Sequence, residues 1–281
     1  MTPQAALLPG DRLHLQHGPI DLIIGAEGQR ARAFAAARDR FESVLSELTA
    51  ELDLLRQPVG RVLQGGIARR MYDAAMPHAD GHTTPMIAVA GAVAEEVLAA
   101  MSDAADLTRA YVNNGGDIAL HLTRDTRFLI AMAAPDGSDL GRVGIAAADP
   151  VRGIATSGRQ GRSLSLGIAE SVTVLAGGAA QADAAATLIG NAVDLPGHRL
   201  IARLPANEVQ PDSDLGPTPV VQYVGRLSEV EISQALAPGE TLARQMIARG
   251  QINAAALFLR GQSRIVTSNP SLIRQKEPIY A

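Results

Sequence analysis

The spacing of apolar positions changes period several times along the chain, and each change predicts an element. Residues 14–24 alternate loosely between apolar and polar and predict opening strands. Over 27–57 the apolar set Phe34, Phe41, Val44, Leu45, Leu48, Leu52 and Leu55 recurs at helical spacing. It predicts one long helix that stops at Pro58, with its arginines and glutamates on a solvated face. Residues 65–81 fit neither period. Residues 85–101 predict a second helix, whose small side chains around Gly91 imply burial against a close neighbour. Short apolar runs at 109–112, 118–123, 128–133 and 143–148, divided by Asn-Gly, Arg-Asp and Asp-Gly turns, predict a strand ladder. Runs at 153–156 and 171–176 continue it. Residues 204–219, rich in Pro, Asp and Gly, predict a long loop or lid, whose Asp212-Ser213-Asp214 group could face a site. The tail predicts a helix over 241–249 and a strand pair near 255–267. Strands in a run with a few long helices argue for α+β rather than a doubly wound sheet.

The most informative stretch is Ala182-Asp183-Ala184-Ala185-Ala186-Thr187. It follows the apolar run 172–176 and the pair Gly177-Gly178, which together predict strand, tight turn and helix. Asp183 and Thr187 are four residues apart, so on a helix they share one face with only alanine between them. A carboxylate beside a hydroxyl suits a hard cation that takes oxygen ligands, Mg2+ above all. The plainer reading stands beside this one. An aspartate in a helix's first turn is favoured by the macrodipole alone, and a mid-helix threonine often bonds the carbonyl one turn back.

Two loops carry further chemistry. Asn113-Asn114-Gly115-Gly116-Asp117 sits between two predicted strands, where its glycines permit positive φ and close approach of a ligand to the amides; it is also a strong hairpin signal. Thr156-Ser157-Gly158-Arg159-Gln160-Gly161-Arg162-Ser163 joins hydroxyls, glycines and two arginines, a composition that cradles phosphate or makes a solvated turn. His78 and His82 have helical metal spacing, but Pro77, Gly81 and Pro85 argue for a loop, and no third ligand is near.

Composition narrows the class. With 281 residues, 47% hydrophobic and 19% charged, the chain is globular. A net charge of −4 and 3% aromatic residues leave neither a basic footprint nor a stacking platform, which argues against a nucleic-acid partner. The absence of cysteine excludes disulfides, thiolate catalysis and iron–sulfur ligation, and suits a cytoplasmic protein. The first ten residues lack the basic start and apolar core of a signal peptide. The alanine-rich runs are broken by Gly91, Glu95 and Glu96 or by residues 115–117, so no membrane-spanning segment is expected.

Taken in order, Asn114-Gly115-Gly116-Asp117, Ile154-Ala155-Thr156-Ser157-Gly158, Ser171-Val172-Thr173-Val174 and Ala182-Asp183-Ala184-Ala185-Ala186-Thr187 resemble the ApbE family, the Mg2+-dependent FAD:protein FMN transferases. The likeness covers roughly residues 85–191. Thr84-Pro85-Met86, Val89-Ala90-Gly91-Ala92-Val93-Ala94-Glu95 and residues 161–167 resemble more closely an uncharacterised cytoplasmic sister family of ApbE-like proteins. The resemblance implies an ApbE-like, T-fold-like α+β fold of mixed and antiparallel sheets packed with a few long helices. It implies a single domain over 1–281, or two intimately packed halves. It puts Asp183 and Thr187 at the metal-ligand positions. It puts Asn114, Gly115, Gly116 and Asp117, with Thr156, Ser157 and Gly158, along the cofactor site, where Arg159 and Arg162 are the candidate phosphate partners.

The chain also departs from the transferase pattern. The transferases carry a His-His-x-x-Asp-Pro segment before the Val-Thr-Val strand, and residues 159–170 here contain neither His nor Pro. Ala90-Gly91 stands where they carry Lys-Gly, with Glu95 in place of an Asp, and the lipoprotein signal many of them bear is absent. Asp149, His121 and Asp214 are candidate substitutes for the missing acid or base. The expected function is an ApbE-like protein that binds a phosphorylated or nucleotide ligand, FAD or FMN, with Mg2+. The alternatives are the FMN transferase itself, a non-catalytic flavin or cofactor carrier, and a structural member with a vestigial metal corner. Efficient flavin transfer to a protein hydroxyl is not expected without the His segment. The expected partner is a small molecule, with no nucleic acid or membrane; a homo-oligomer stays open.

Overall fold

A computed structural model describes residues 2–133, 137, 139–161 and 163–274. The chain forms two compact units: Met1–Arg127 with Ala146–Ala155 and Ala176–Ala184, and Phe128–Ile145 with Thr156–Leu175 and Ala185–Ala281.

The first unit opens with β1 (Gln4–Leu8), β2 (Arg12–His17) and β3 (Ile20–Gly28). Helices α1 (Arg30–Ala50), α2 (Leu52–Leu55), α3 (Gly66–Ala75) and α4 (Val89–Ala104) follow, then β4 (Leu107–Asn114) and β5 (Asp117–Leu122). Every neighbouring pair in the order β1-β2-β3-β4-β5 is antiparallel, and β5 pairs with the start of β8 (Gly153–Ser157) through Ile118 opposite Ile154. Alternation sends Leu13, Leu15, Leu22 and Ile24 to one face of the sheet, where they are buried in one core with α1, α3 and α4. Phe34, Ala37, Phe41, Val44 and Leu48 form the matching stripe of α1.

The single helix expected over 27–57 is two. It breaks at Glu51, whose carboxylate accepts the Gln64 and Gly65 amides at 2.9 and 2.6 Å, just ahead of α3. The aperiodic stretch 65–81 contains α3 and the 3-10 turn Met76–His78. Residues Pro85–Ala104 are long and apolar enough, by length and composition, to cross a membrane, contrary to the sequence reading. Half of that apolar window is buried, and Ala92, Val93, Ala94, Val97, Leu98 and Met101 lie in the first unit's core.

In the second unit β6 (Arg127–Ala133) and β7 (Asp139–Ala146) form a three-stranded sheet with β14 (Ile273–Arg274), in the order β14-β7-β6. Strand β9 (Ser171–Ala176) is buried along its whole length and pairs antiparallel with β12 (Ala254–Leu259), which pairs with β13 (Gln262–Thr267). Helix α5 (Ala179–Ala192) begins in the first unit and ends in the second. The stretch expected to be a lid is partly regular. Strand β10 (Ile201–Pro205) runs into α6 (Ala206–Val209) and pairs antiparallel with β11 (Pro219–Val224), so the irregular part is short. The expected helix over 241–249 is the last part of a longer helix, α7 (Glu229–Ala248), which runs through Pro238. Antiparallel sheets with several helices make this an α+β fold, as expected.

Candidate functional site

The strand–turn–helix expected at Asp183 is present, with β9, the pair Gly177-Gly178 and α5 in that order. The helix seats against α4 at backbone contact. A Cβ built on Gly91 would lie 2.2 Å from the Ala179 carbonyl oxygen, so only glycine fits there. At this crossing the two helices exchange carboxylates. From α5, Asp183 Oδ2 accepts the Gly91 amide at 3.0 Å, in the first turn of α4. From α4, Glu95 Oε1 accepts the Ala180 amide at 3.0 Å, in the first turn of α5. The opening amides of a helix have no partner within it, so each carboxylate caps the other's helix.

Capping does not satisfy Asp183. Its side chain is buried, and burial followed by the negative charge of Asp117 pushes its carboxyl well above the ordinary aspartate range. The Gly91 and Ala90 amides pull the other way and do not offset this. Asp117 is half-buried at the start of β5, opposite Asn114 at the end of β4. The turn between them is Gly115-Gly116, both at positive φ (66° and 116°), closed by the Gly116 amide donating to Asn113 Oδ1 at 2.8 Å. Asn114 is buried and donates from Nδ2 to the Ala90 carbonyl at 3.1 Å. The first turn of α4 therefore holds both Asn114 and Asp183. The sequence had set these residues in two separate motifs.

Among the described residues no group of three or more His, Asp or Glu gathers around a common point. The oxygen ligands on offer in the first unit are the Asp183 and Asp117 carboxylates. Thr187, the second metal ligand expected from sequence, is half-buried one turn further along α5. Two carboxylates confined where one is buried favour a divalent cation, because it relieves their repulsion. This donor set is all oxygen, which suits Mg2+.

The loop after β8 belongs to the second unit. There the Thr156 and Thr173 hydroxyls meet at 3.0 Å, and a Cβ on Gly190 of α5 would lie 3.9 Å from both Ser157 Oγ and the Gly158 amide. Gly158 has φ +134°, and a Cβ there would sit 2.7 Å from the Glu170 carbonyl oxygen, so the position requires glycine. The Arg159 guanidinium is 3.5 Å from the Glu170 carboxylate, and its buried Nε meets no hydrogen-bond partner among the described residues. Arg162 lies outside the described residues.

A cleft of about 490 Å³ opens in the first unit, lined by Arg70, Glu95, Ser102, His121, Arg152 and Gln181 among others. Of the candidates expected from sequence it takes only His121; none of the expected metal-ligand or cofactor-site residues lines it. Its charges are largely answered internally. Arg70 lies 3.7 Å from Glu95 and 2.8 Å from Glu96, and the Arg152 guanidinium donates to the Asp149, Val151 and Ala147 carbonyls. His121 is held between the Ser102 hydroxyl at 3.5 Å and the Leu107 carbonyl at 3.2 Å. Asp149 accepts the Ala146 amide at 2.7 Å, and Asp214 is exposed in the second unit. His78 closes the 3-10 turn, while His82 lies in the exposed turn held by Asp80.

This architecture is that of an ApbE-type protein. The ApbE protein of Thermotoga maritima superposes with a TM-score of 0.52 at 10% identity, over 94% of this chain and 97% of its own. The flavinyl transferase ApbE of Pseudomonas stutzeri aligns over 95% of this chain and 96% of its own, at 13% identity and a TM-score of 0.47. A family model described as AbpE bacteria matches residues 4–265, and the chain belongs to that family. It is also 31% identical over 195 residues to a UPF0280 protein of Methanoregula boonei, covering 61% of this chain and 82% of that one. A UPF0280 protein of Methanopyrus kandleri is 41% identical over 135 residues, 47% of this chain and 52% of its own. The chain spans about half the length of most of the archaeal relatives it matches.

Proposed function

We propose that this protein binds a phosphorylated nucleotide ligand, FAD or FMN, together with Mg2+. Asp183, Asp117 and the Thr187 hydroxyl hold the cation. The single observation that carries the reading is the buried Asp183 carboxylate, whose two amide bonds leave it short of compensation beside a second carboxylate. A purely structural cap has no use for Asp117's added negative charge, whereas a cation site does. A bound Mg2+ would supply positive charge to ligand phosphates; Asp183 and Asp117 would hold and orient it. Gly115 and Gly116 leave the Asn114–Asp117 turn open for a ligand to approach its backbone. In the second unit, Thr156, Ser157, Gly158 and Arg159, with Arg162, are the candidates for phosphate contact.

The reading stops at binding. Residues 159–170 bring no histidine, and Arg159 there faces Glu170. A missing acid or base costs a transfer reaction typically ~10²–10⁴-fold. The titration that tests the reading is calorimetric, with Mg2+ and FAD added separately and together to wild type and to Asp183→Asn. Wild type is expected to bind FAD more tightly with Mg2+ present. Asp183→Asn is expected to lose that metal dependence, by at least the ~10–100-fold that removal of an outer-shell partner costs. Identical titrations in the two proteins would overturn the site.

A further inference from the structure

Asp183 cannot choose its own position. It sits on a helix whose preceding residues, Gly177 and Gly178, have no side chain to cap it. The cap comes from Glu95, 85 positions earlier in sequence and one turn along α4 from Gly91, the residue that Asp183 itself caps. Glu95 and Gly91 share a face of α4 at i, i+4 spacing, so the two contacts grip one turn of α5. The grip is tight at both ends. Gly91 admits no side chain against Ala179, and a Cβ on Gly178 would lie 2.4 Å from Glu95 Oε1. Behind Glu95 the charges run on across the helical layer, from Arg70 on α3 to Glu96 on α4 and Arg40 on α1.

We propose that Glu95 is the positioning residue of the Asp183 carboxylate: by capping the first turn of α5 from α4, it fixes where Asp183 meets Gly91 and Asp117. The proposal rests on the metal-site reading above for its purpose, but not for its test. Glu95 touches neither the cation nor the ligand in this scheme.

Two amides report the two halves of the claim. The Ala180 amide reads the cap directly, and the Gly91 amide reads where Asp183 is, since Asp183 is its acceptor. In Glu95→Ala both should exchange hydrogen faster, by roughly threefold to thirtyfold, the range that loss of a helix cap corresponds to. Glu95→Gln keeps an oxygen acceptor and should restore most of the protection. Amides of Val97 and Leu98, further along α4, should keep their wild-type rates. Faster exchange at Ala180 with Gly91 unchanged would overturn the proposal, as would no change at either amide. A rise at Gly91 matched by Val97 and Leu98 would mean general loosening of α4 and would equally overturn it. Should Glu95→Ala not fold, Glu95→Asp, whose shorter side chain withdraws the carboxylate from the amides, is read in the same way. A Mn2+ titration of wild type and Glu95→Ala separates the two ideas. A wild type that binds no Mn2+ sinks the metal reading and leaves exchange to decide the positioning role. Equal Mn2+ affinity in both proteins, with faster exchange at Ala180 and Gly91 in Glu95→Ala, would remove Asp183 from the metal reading and leave the positioning role standing.

Discussion

Individual residues divide sharply between those that announce themselves and those that do not. The spacing of Asp183 and Thr187 was visible because both lie on one helix, where periodicity alone sets a shared face. Glu95 was not, because its partner amide belongs to a helix that begins far away in sequence. Nor did the sequence join Asn114 to Asp183; the first turn of α4 joins them, through Ala90 and Gly91. Gly91 suggested close packing but not its object, the carbonyl of Ala179. Since that object is rigid backbone, Gly91→Ala should cost about 3 kcal/mol, the upper end for overpacking. Chemical denaturation of the two proteins measures it, and a cost under about 0.5 kcal/mol would show that the helices slide apart easily.

At the scale of elements, local signals succeeded where a segment answers mainly to itself. The expected strands are all present, although β6 and β7 leave the ladder for a separate sheet and the expected Asp-Gly turn lies partly outside the described residues. The strand–turn–helix around residue 177 is as expected. Expectations failed where a tertiary contact outweighs local preference. Helix α7 continues through Pro238 because Ile232, Ala235, Leu236, Ala243 and Met246 are buried on one stripe, and Gly239 lies so close to Val193 that a Cβ would approach it to 2.5 Å. Burial of that stripe offsets the amide that proline cannot supply. The same helix opens on a capping box, in which Ser228 accepts the Glu231 amide and Glu231 reaches back to the Ser228 amide. Ser228→Ala should therefore cost about 1 kcal/mol. The Ser228 amide, and then His198, hold the Glu231 carboxyl down at about 2. A folded value below the unfolded one gives stability that is present above the ordinary glutamate range and is lost as pH falls toward about 2. The gap in denaturation midpoint between wild type and Glu231→Gln should then narrow from about pH 5 to about pH 3. A gap that widens on acidification would contradict the assignment.

The whole molecule is the least legible scale, because the path of the chain is set by pairings between distant segments. Composition and element order pointed to α+β, but they gave no sign that the first unit draws three separate stretches of sequence into itself. Its core takes Ala179, Ala180 and Ala184 from α5, and its strand β5 takes a partner from residues 153–154. A fragment ending at Arg127 lacks both. It should show the poor amide dispersion of an unpacked chain by NMR, while a well-dispersed native-like spectrum would mean that the later segments are dispensable. The alanines of α5 have one more consequence. Ala182, Ala184, Ala185 and Ala186 are fully buried and have no torsion to adjust, so the helix has no slack with which to absorb change. Elsewhere in a core a larger residue can be accommodated by neighbours changing rotamer; here the first added carbon displaces the helix, and Asp183 and Thr187 move with it. A saturation library across these four positions should behave like a switch rather than a dial. Glycine should be tolerated, serine and every larger side chain should be lost together, and few variants should fall between. A smooth gradient with side-chain volume would show that the seat of the helix is softer than its packing implies.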